Sequence, residues 1–201
     1  MLRTITKVAL LVGAAAILTS CAATSLQSTW RNPAAARLSL KGRKVAAIVL
    51  VDEQALRYAA EDALAGEITA HGGVGIAAYT LVPKEQIRDK EMTREIFERA
   101  GVEGVVAMRP VAKEKALTGS FSGNPLYASF WGPGLLGGGW GEGYLRTDTI
   151  LVVETLVYSL PQNALVWATQ SETTNPSNIG PFIHELSKKI GTGMEKQGLL
   201  G

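Results

Sequence analysis

The chain has 201 residues, with 20 basic and 18 acidic side chains, two histidines and one cysteine. It is long enough for one domain with a single core. It shows no basic stripe of the kind nucleic-acid binders need, and a single thiol excludes an internal disulfide.

The chain opens with Arg3 and Lys7, followed by an apolar run from Val8 to Leu18. That run is shorter than the ~20 apolar residues a spanning helix requires, so residues 1–20 read as an export signal. Its end, Leu18-Thr19-Ser20-Cys21, resembles the bacterial lipobox, in which the cysteine is acylated and becomes the first mature residue. By that resemblance Cys21 carries fatty acyl (palmitate-type) chains, each buried methylene contributing ~0.8 kcal/mol to membrane attachment. Ala22, not aspartate, follows Cys21, which by the same resemblance implies the outer membrane. Cleavage removes Arg3 and Lys7 and no acid, leaving equal numbers of basic and acidic residues. A neutral domain steers partners weakly by charge and meets them through shape and apolar contact.

Residues 21–42 are rich in Ala, Ser, Thr and Asn, and read as a lipidated tether containing Trp30, with a possible edge strand at Leu38–Leu40. The domain then runs from 43 to 201. Val45 to Val51 is a continuous apolar run that suits a central strand buried on both faces. Asp52 stands where a helix N-cap is wanted. Leu56, Ala60, Leu64 and Ile68 then recur at helical spacing, with Arg57, Glu61, Asp62 and Glu67 expected off that stripe. Gly72-Gly73 should stop the helix. Val74 to Val82 predicts a second strand, and a second helix anchored by Ile96 and Phe97 should stop at Gly101. Val102 to Val111 predicts a third strand in which Pro110 marks an edge or bulge. Asp148–Leu160 and Ala164–Glu172 predict a hairpin turning at Pro161-Gln162-Asn163. Ile179, Phe182, Ile183, Leu186, Ile190 and Met194 predict a C-terminal helix, weakened late by Gly191 and Gly193. The order β-α-β-α-β-β-β-α makes an α/β (α+β) fold: one mixed sheet of about five strands with three helices packed on it.

A lipobox, a Trp soon after it, a β-α-β core and a late strand pair carrying Leu165-Val166-Trp167 are features of one group of proteins. By them the chain resembles bacterial outer-membrane lipoproteins with a small α/β domain. Its element order over residues 43–195 is similar to that of the α/β domains of TolB (its N-terminal domain), LpoB and CsgG. The resemblance implies a protein that binds or assembles with other envelope components, and it carries over no binding residue.

Between Gly119 and Gly143 nine of 25 residues are glycine, and Phe121, Tyr127, Phe130, Trp131, Trp140 and Tyr144 cluster there. An insertion of that length inside a domain is usually functional or disordered. Residues 119–143 read either as an arm contacting a membrane or partner, or as an insertion whose aromatics fold back on the sheet. Gly137-Gly138-Gly139-Trp140-Gly141 lacks the Lys-Ser/Thr of a phosphate loop.

Catalytic and metal chemistry is thinly represented. His71 is expected to cap the last carbonyls of the first helix, and His184 to be a partly buried surface residue. No His-x-x-His or His-Glu-x-x-His pattern occurs, so no metal ligand and no cofactor is expected. Asp52-Glu53 and Glu61-Asp62 read as solvated acids near a helix start. A serine hydrolase would have to bring His71 or His184 to Ser120 or Ser122 without a Gly-x-Ser-x-Gly elbow. The sequence therefore predicts a non-enzymatic periplasmic binding or assembly module, with the membrane and an envelope protein or cell wall as partners. An oligomeric or pore-associated lipoprotein is the alternative, and an envelope serine hydrolase the weaker one.

Overall fold

A computed structural model describes residues 24–35, 38–87, 89–120, 144–176 and 178–201. The expected cleavage and lipidation site at Cys21 lies outside the described residues, as do Phe121, Tyr127, Phe130, Trp131 and Trp140. Among the described residues no helix is long and apolar enough to cross a membrane.

The architecture is the mixed α+β sheet that the periodicities predict, with one strand more. Strands β1 (Thr24–Arg31), β2 (Lys44–Val49), β3 (Val74–Ala77), β4 (Gly104–Ser120), β5 (Tyr144–Ser159) and β6 (Ala164–Thr174) form one sheet in the order β1-β6-β5-β4-β2-β3. Helices α1 (Gln54–Ala70), α2 (Lys90–Arg99) and α3 (Ile179–Lys196) pack on it. β2 pairs in parallel with β3 and β4, and the other neighbours are antiparallel.

The sheet has two unequal faces. On the first, Val45, Ala47, Val49, Val106, Met108, Val153, Val157 and Trp167 pack beneath α1 and α3, which supply Leu64, Ile68, Phe182, Leu186 and Ile190. On the second, Ala46, Ile48 and Val105 pack under Phe97 of α2 and under Val82. Trp167 is fully buried, and α3 reaches it closely because Gly193 sits above it: a Cβ there would lie 3.4 Å from the indole and 3.1 Å from Leu26. Gly193 therefore trades helix propensity for close approach, beyond the weakening expected of it. Gly75 is more stringent still, since its Cβ would stand 2.0 Å from the Ala65 carbonyl oxygen.

Helix ends follow the sequence signals. Gly72 and Gly101 adopt φ of +89° and +73°, the left-handed geometry that glycine tolerates, just past α1 and α2. The α2 N-cap is Asp89, whose carboxylate accepts from the N–H groups of Glu91 and Met92 at 3.1 Å each. For α1 the N-cap position falls on Glu53 rather than Asp52, and the Glu53 side chain makes no capping hydrogen bond.

Three expectations are corrected. Residues 24–31, read as tether, form edge strand β1 along the outer side of β6, with Thr24 opposite Thr173 and Arg31 opposite Trp167. The second strand ends at Ala77, and a 3₁₀ turn at Ala78–Thr80 follows. β4 runs on to Ser120 because β5 pairs with it all the way from Ser159 to Tyr144. Pro110 does mark a bulge, between Pro110 and Ala112, just past Met108, the last residue β4 pairs with β2.

Candidate functional site

Among the described residues the second face of the sheet is covered over β2, β3 and the start of β4 by α2, and left open over β5, β6 and β1. Paired residues point to the same side, so the register lays Trp30, Ala168, Leu156, Ala107 and Ile48 in one row across five strands. Ile48 and Ala107 belong to the core beneath α2, whereas Trp30 at the edge is 46% exposed. The neighbouring row holds Leu165, Tyr158 and Val105, and Tyr158 is 37% exposed. On the other flank Arg109 and Glu154 pair at 2.6 Å, opposite Gln170 and Ser28. An apolar centre bounded by paired charge and amides has the anatomy of a protein-binding surface.

These residues escaped the sequence reading. The sequence pattern places Trp30 in a tether, and Tyr158 and Leu156 in a strand whose faces it does not distinguish. The alternation of β5 places Leu156 and Tyr158 together, but no local signal reveals that α2 stops short of them.

A second feature lies at the carboxyl end of β2. The chain leaves β2 for α1 on the first face, and reaches β4 through α2 on the second. This is the arrangement that opens a crevice at strand ends in α/β sheets. The crevice here is small, about 170 Å³, lined by Val49–Asp52, Arg57, Lys84 and Ile87. Its cations are engaged: Lys84 Nζ donates to the Asp52 carbonyl at 3.0 Å, and Arg57 Nε donates to Glu61 at 2.8 Å.

Arg57 and Glu61 also correct the sequence reading, which set them outside the apolar stripe. Both are buried, at 2% and 0% exposure. Glu61 accepts from Arg57 and the Val49 N–H (3.2 Å) through one oxygen and from the Tyr79 N–H (2.6 Å) through the other. The carboxylate thus ties α1 to β2 and to the 3₁₀ turn, and the i,i+4 guanidinium neutralises it. It is a structural brace, and not a solvated acid. Asp62, one residue on, is exposed and accepts from the Tyr79 hydroxyl at 3.0 Å. That hydrogen bond, with desolvation and the charges of Asp62 and Glu61, raises the Tyr79 pKa above its usual value. Tyr79 also stacks on Tyr58, with ring centroids 4.1 Å apart.

The two histidines stand apart from each other. His71 is the C-cap residue of α1, but its imidazole turns to carboxylates: Nδ1 lies 3.2 Å from Glu195 and Nε2 3.8 Å from Glu67. His184 is exposed on α3, not partly buried. Ser120 ends β4, and Ser122 lies outside the described residues. The 16 steps of β4 from Gly104 to Ser120 span about 50 Å at strand rise. His71 belongs to the Gly104 end, where Gly42 donates to Gly72 and Leu40 packs on Gly104. His71 is therefore not brought to Ser120. Among the described residues no group of three or more His, Cys, Asp or Glu is placed to hold a metal ion.

Of the six aromatic contact candidates only Tyr144 falls among described residues, as the first residue of β5. The last β5–β6 pair is Ile150 with Thr174, and six further residues of β5 continue as a two-stranded ribbon with β4. The segment 121–143 is thus joined to the domain about 20 Å beyond the shared sheet.

No protein-family model and no curated protein matches the chain. Among solved structures it is similar to PelC dodecamers from Paraburkholderia phytofirmans. One, a PelC variant, has 14% identity over 89% of this chain and 99% of that chain, with a TM-score of 0.46. Another has 12% identity over 84% and 94%, with a TM-score of 0.47. It is also similar to lipoprotein GNA1162 from Neisseria meningitidis, at 10% identity over 77% and 99%, with a TM-score of 0.40. At such scores and identities neither fold nor role passes from these proteins to this chain.

Proposed function

We propose that this chain is a lipid-anchored, non-catalytic binding or assembly module of the cell envelope, held at the outer membrane by Cys21 and facing the periplasm. We place its contact with a protein partner on the open half of the sheet. The observation that carries this reading is the row Trp30–Ala168–Leu156, with Tyr158 beside it, which no helix among the described residues covers while the other half of the same face is covered. Aromatic anchors amid neutral polar groups fit a protein surface better than a charged polymer. Against His71 as the base of a hydrolase acting through Ser120 stands the distance between them, and no cofactor enters the proposal. The Gly-aromatic segment is proposed as a second contact element, with Phe130, Trp131 and Trp140 as anchors, and its attachment at the end of a ribbon supports that use.

The test is crosslinking and co-purification from envelope membranes with the intact protein, Trp30→Ala/Tyr158→Ala, and Trp131→Ala/Trp140→Ala. Loss of the recovered partner in the first variant, with membrane attachment retained, supports the open face. Recovery unchanged in both variants sinks the binding reading.

Edge strand β1 favours one further form of this function, an oligomeric structural lipoprotein. Among the described residues the outer side of β1 has no strand beside it, and a free edge is a template for pairing between copies. A size in mild detergent that falls to one copy on Gln27→Pro would support that form.

A further inference from the structure

Thr24 stands three positions after Cys21, and three residues reach at most about 11 Å when fully extended. Thr24 is itself fixed in the domain. It opens β1, its hydroxyl meets that of Thr173 at 2.9 Å, and its N–H donates to Glu185 of α3 at 2.9 Å. The anchor, on the reading proposed above, therefore leaves no slack between the lipid and this corner of the sheet. The same end of the sheet holds other features suited to a lipid surface. β6 finishes there at Thr174 and α3 begins at Ile179, whose side chain is 58% exposed. Beside it is an open groove of about 710 Å³ lined by Leu151, Pro176, Ile179 and Phe182, with Lys113 at its margin. All three helices start at this end, because each follows a strand that runs toward it. Their positive ends thus point the same way, that of α2 being met by its own Asp89 carboxylate. The opposite end is the polar turn Pro161-Gln162-Asn163 and the segment after α3.

We infer that the end of the sheet marked by Thr24, Ile179 and the Leu151–Phe182 groove lies on the bilayer surface, with Ile179 at the headgroup–acyl boundary and Lys113 at the lipid phosphates. This inference rests on the lipid-anchored reading and adds an orientation to it. The body of the sheet stands away from the membrane, the β4–β5 ribbon that runs on past this end is directed into the bilayer, and the open face carrying Trp30 and Tyr158 looks sideways into the periplasm. An aliphatic side chain at the boundary with a lysine beside it is the pattern by which surfaces lie on phospholipid.

The test uses the full lipidated chain in phosphatidylethanolamine/phosphatidylglycerol vesicles. Acylation of Cys21 leaves an introduced cysteine as the single free thiol, so Ile179→Cys and Gln162→Cys can each carry an environment-sensitive fluorophore. The expected result is a blue-shifted signal at 179, quenched by lipids bearing a headgroup-level nitroxide, and an unshifted, unquenched signal at 162. A chain that does not float with the vesicles removes the lipid-anchored reading, and the orientation falls with it. A chain that floats with 179 unquenched overturns the orientation alone. A blue shift at 179 without quenching assigns the groove to protein contact and likewise overturns it.

Discussion

Replacing Glu61 by glutamine tests the brace between α1, β2 and the 3₁₀ turn. The amide keeps the shape of the carboxylate but leaves the Arg57 guanidinium, 2% exposed, without a counter-charge. Removing one partner of a buried pair costs ~3–5 kcal/mol. The amide oxygen can accept from only one side of the former carboxylate. Either the Val49 N–H or the Tyr79 N–H thus loses its acceptor, at ~1–3 kcal/mol if it finds no other. These effects share one site and do not add, so the expected loss is about 4 kcal/mol. With a urea slope of about 2 kcal/mol per molar, the unfolding midpoint should fall by about 2 M. The assay is equilibrium urea denaturation of the mature chain, followed by far-ultraviolet circular dichroism. The double variant Arg57→Met/Glu61→Gln removes both charges and should recover most of the loss, because an apolar replacement of a buried pair is often neutral. A loss below about 1 kcal/mol in Glu61→Gln, or a double variant no more stable than the single one, refutes the argument that charge compensation holds this junction.

Three further outcomes are expected. Gly75→Ala would place a Cβ 2.0 Å from the Ala65 carbonyl oxygen, so α1 must lift from β3. A loss of about 3 kcal/mol or failure to fold should follow, and an unchanged melting temperature would contradict the close approach. Trp167→Ala should cost ~3–5 kcal/mol, since the indole is fully buried, and thermal unfolding of the variant checks it. The raised Tyr79 pKa comes first from its hydrogen bond to Asp62, which stabilises the protonated phenol. That contribution is complete below the ordinary tyrosine range and fades as pH rises through the folded-state value. A phenolate absorbance titration should therefore lose one alkaline component in Tyr79→Phe, and the Tyr79 component should move to lower pH in Asp62→Asn.

What the sequence by itself determined is local. The helix stripe of α3, the glycine stops after α1 and α2, the Pro110 bulge and the Pro161–Asn163 turn all follow from residues within a few positions of one another. Backbone geometry and side-chain spacing act at that range. The tertiary structure decided the rest. β1 reads as a tether because it lies in a stretch rich in small and polar residues with no strong period, and it becomes a strand only beside β6. Its first residue bonds Thr173, 149 positions away. Arg57 and Glu61 looked solvent-facing because charge predicts exposure. They are buried because the turn carrying Tyr79 and the end of β2 bring N–H groups that the carboxylate can accept from. The open face of Trp30 and Tyr158 has the same origin. Strand register sets which side chains share a face, but whether a helix covers that face depends on where the crossovers land, and no local pattern records that.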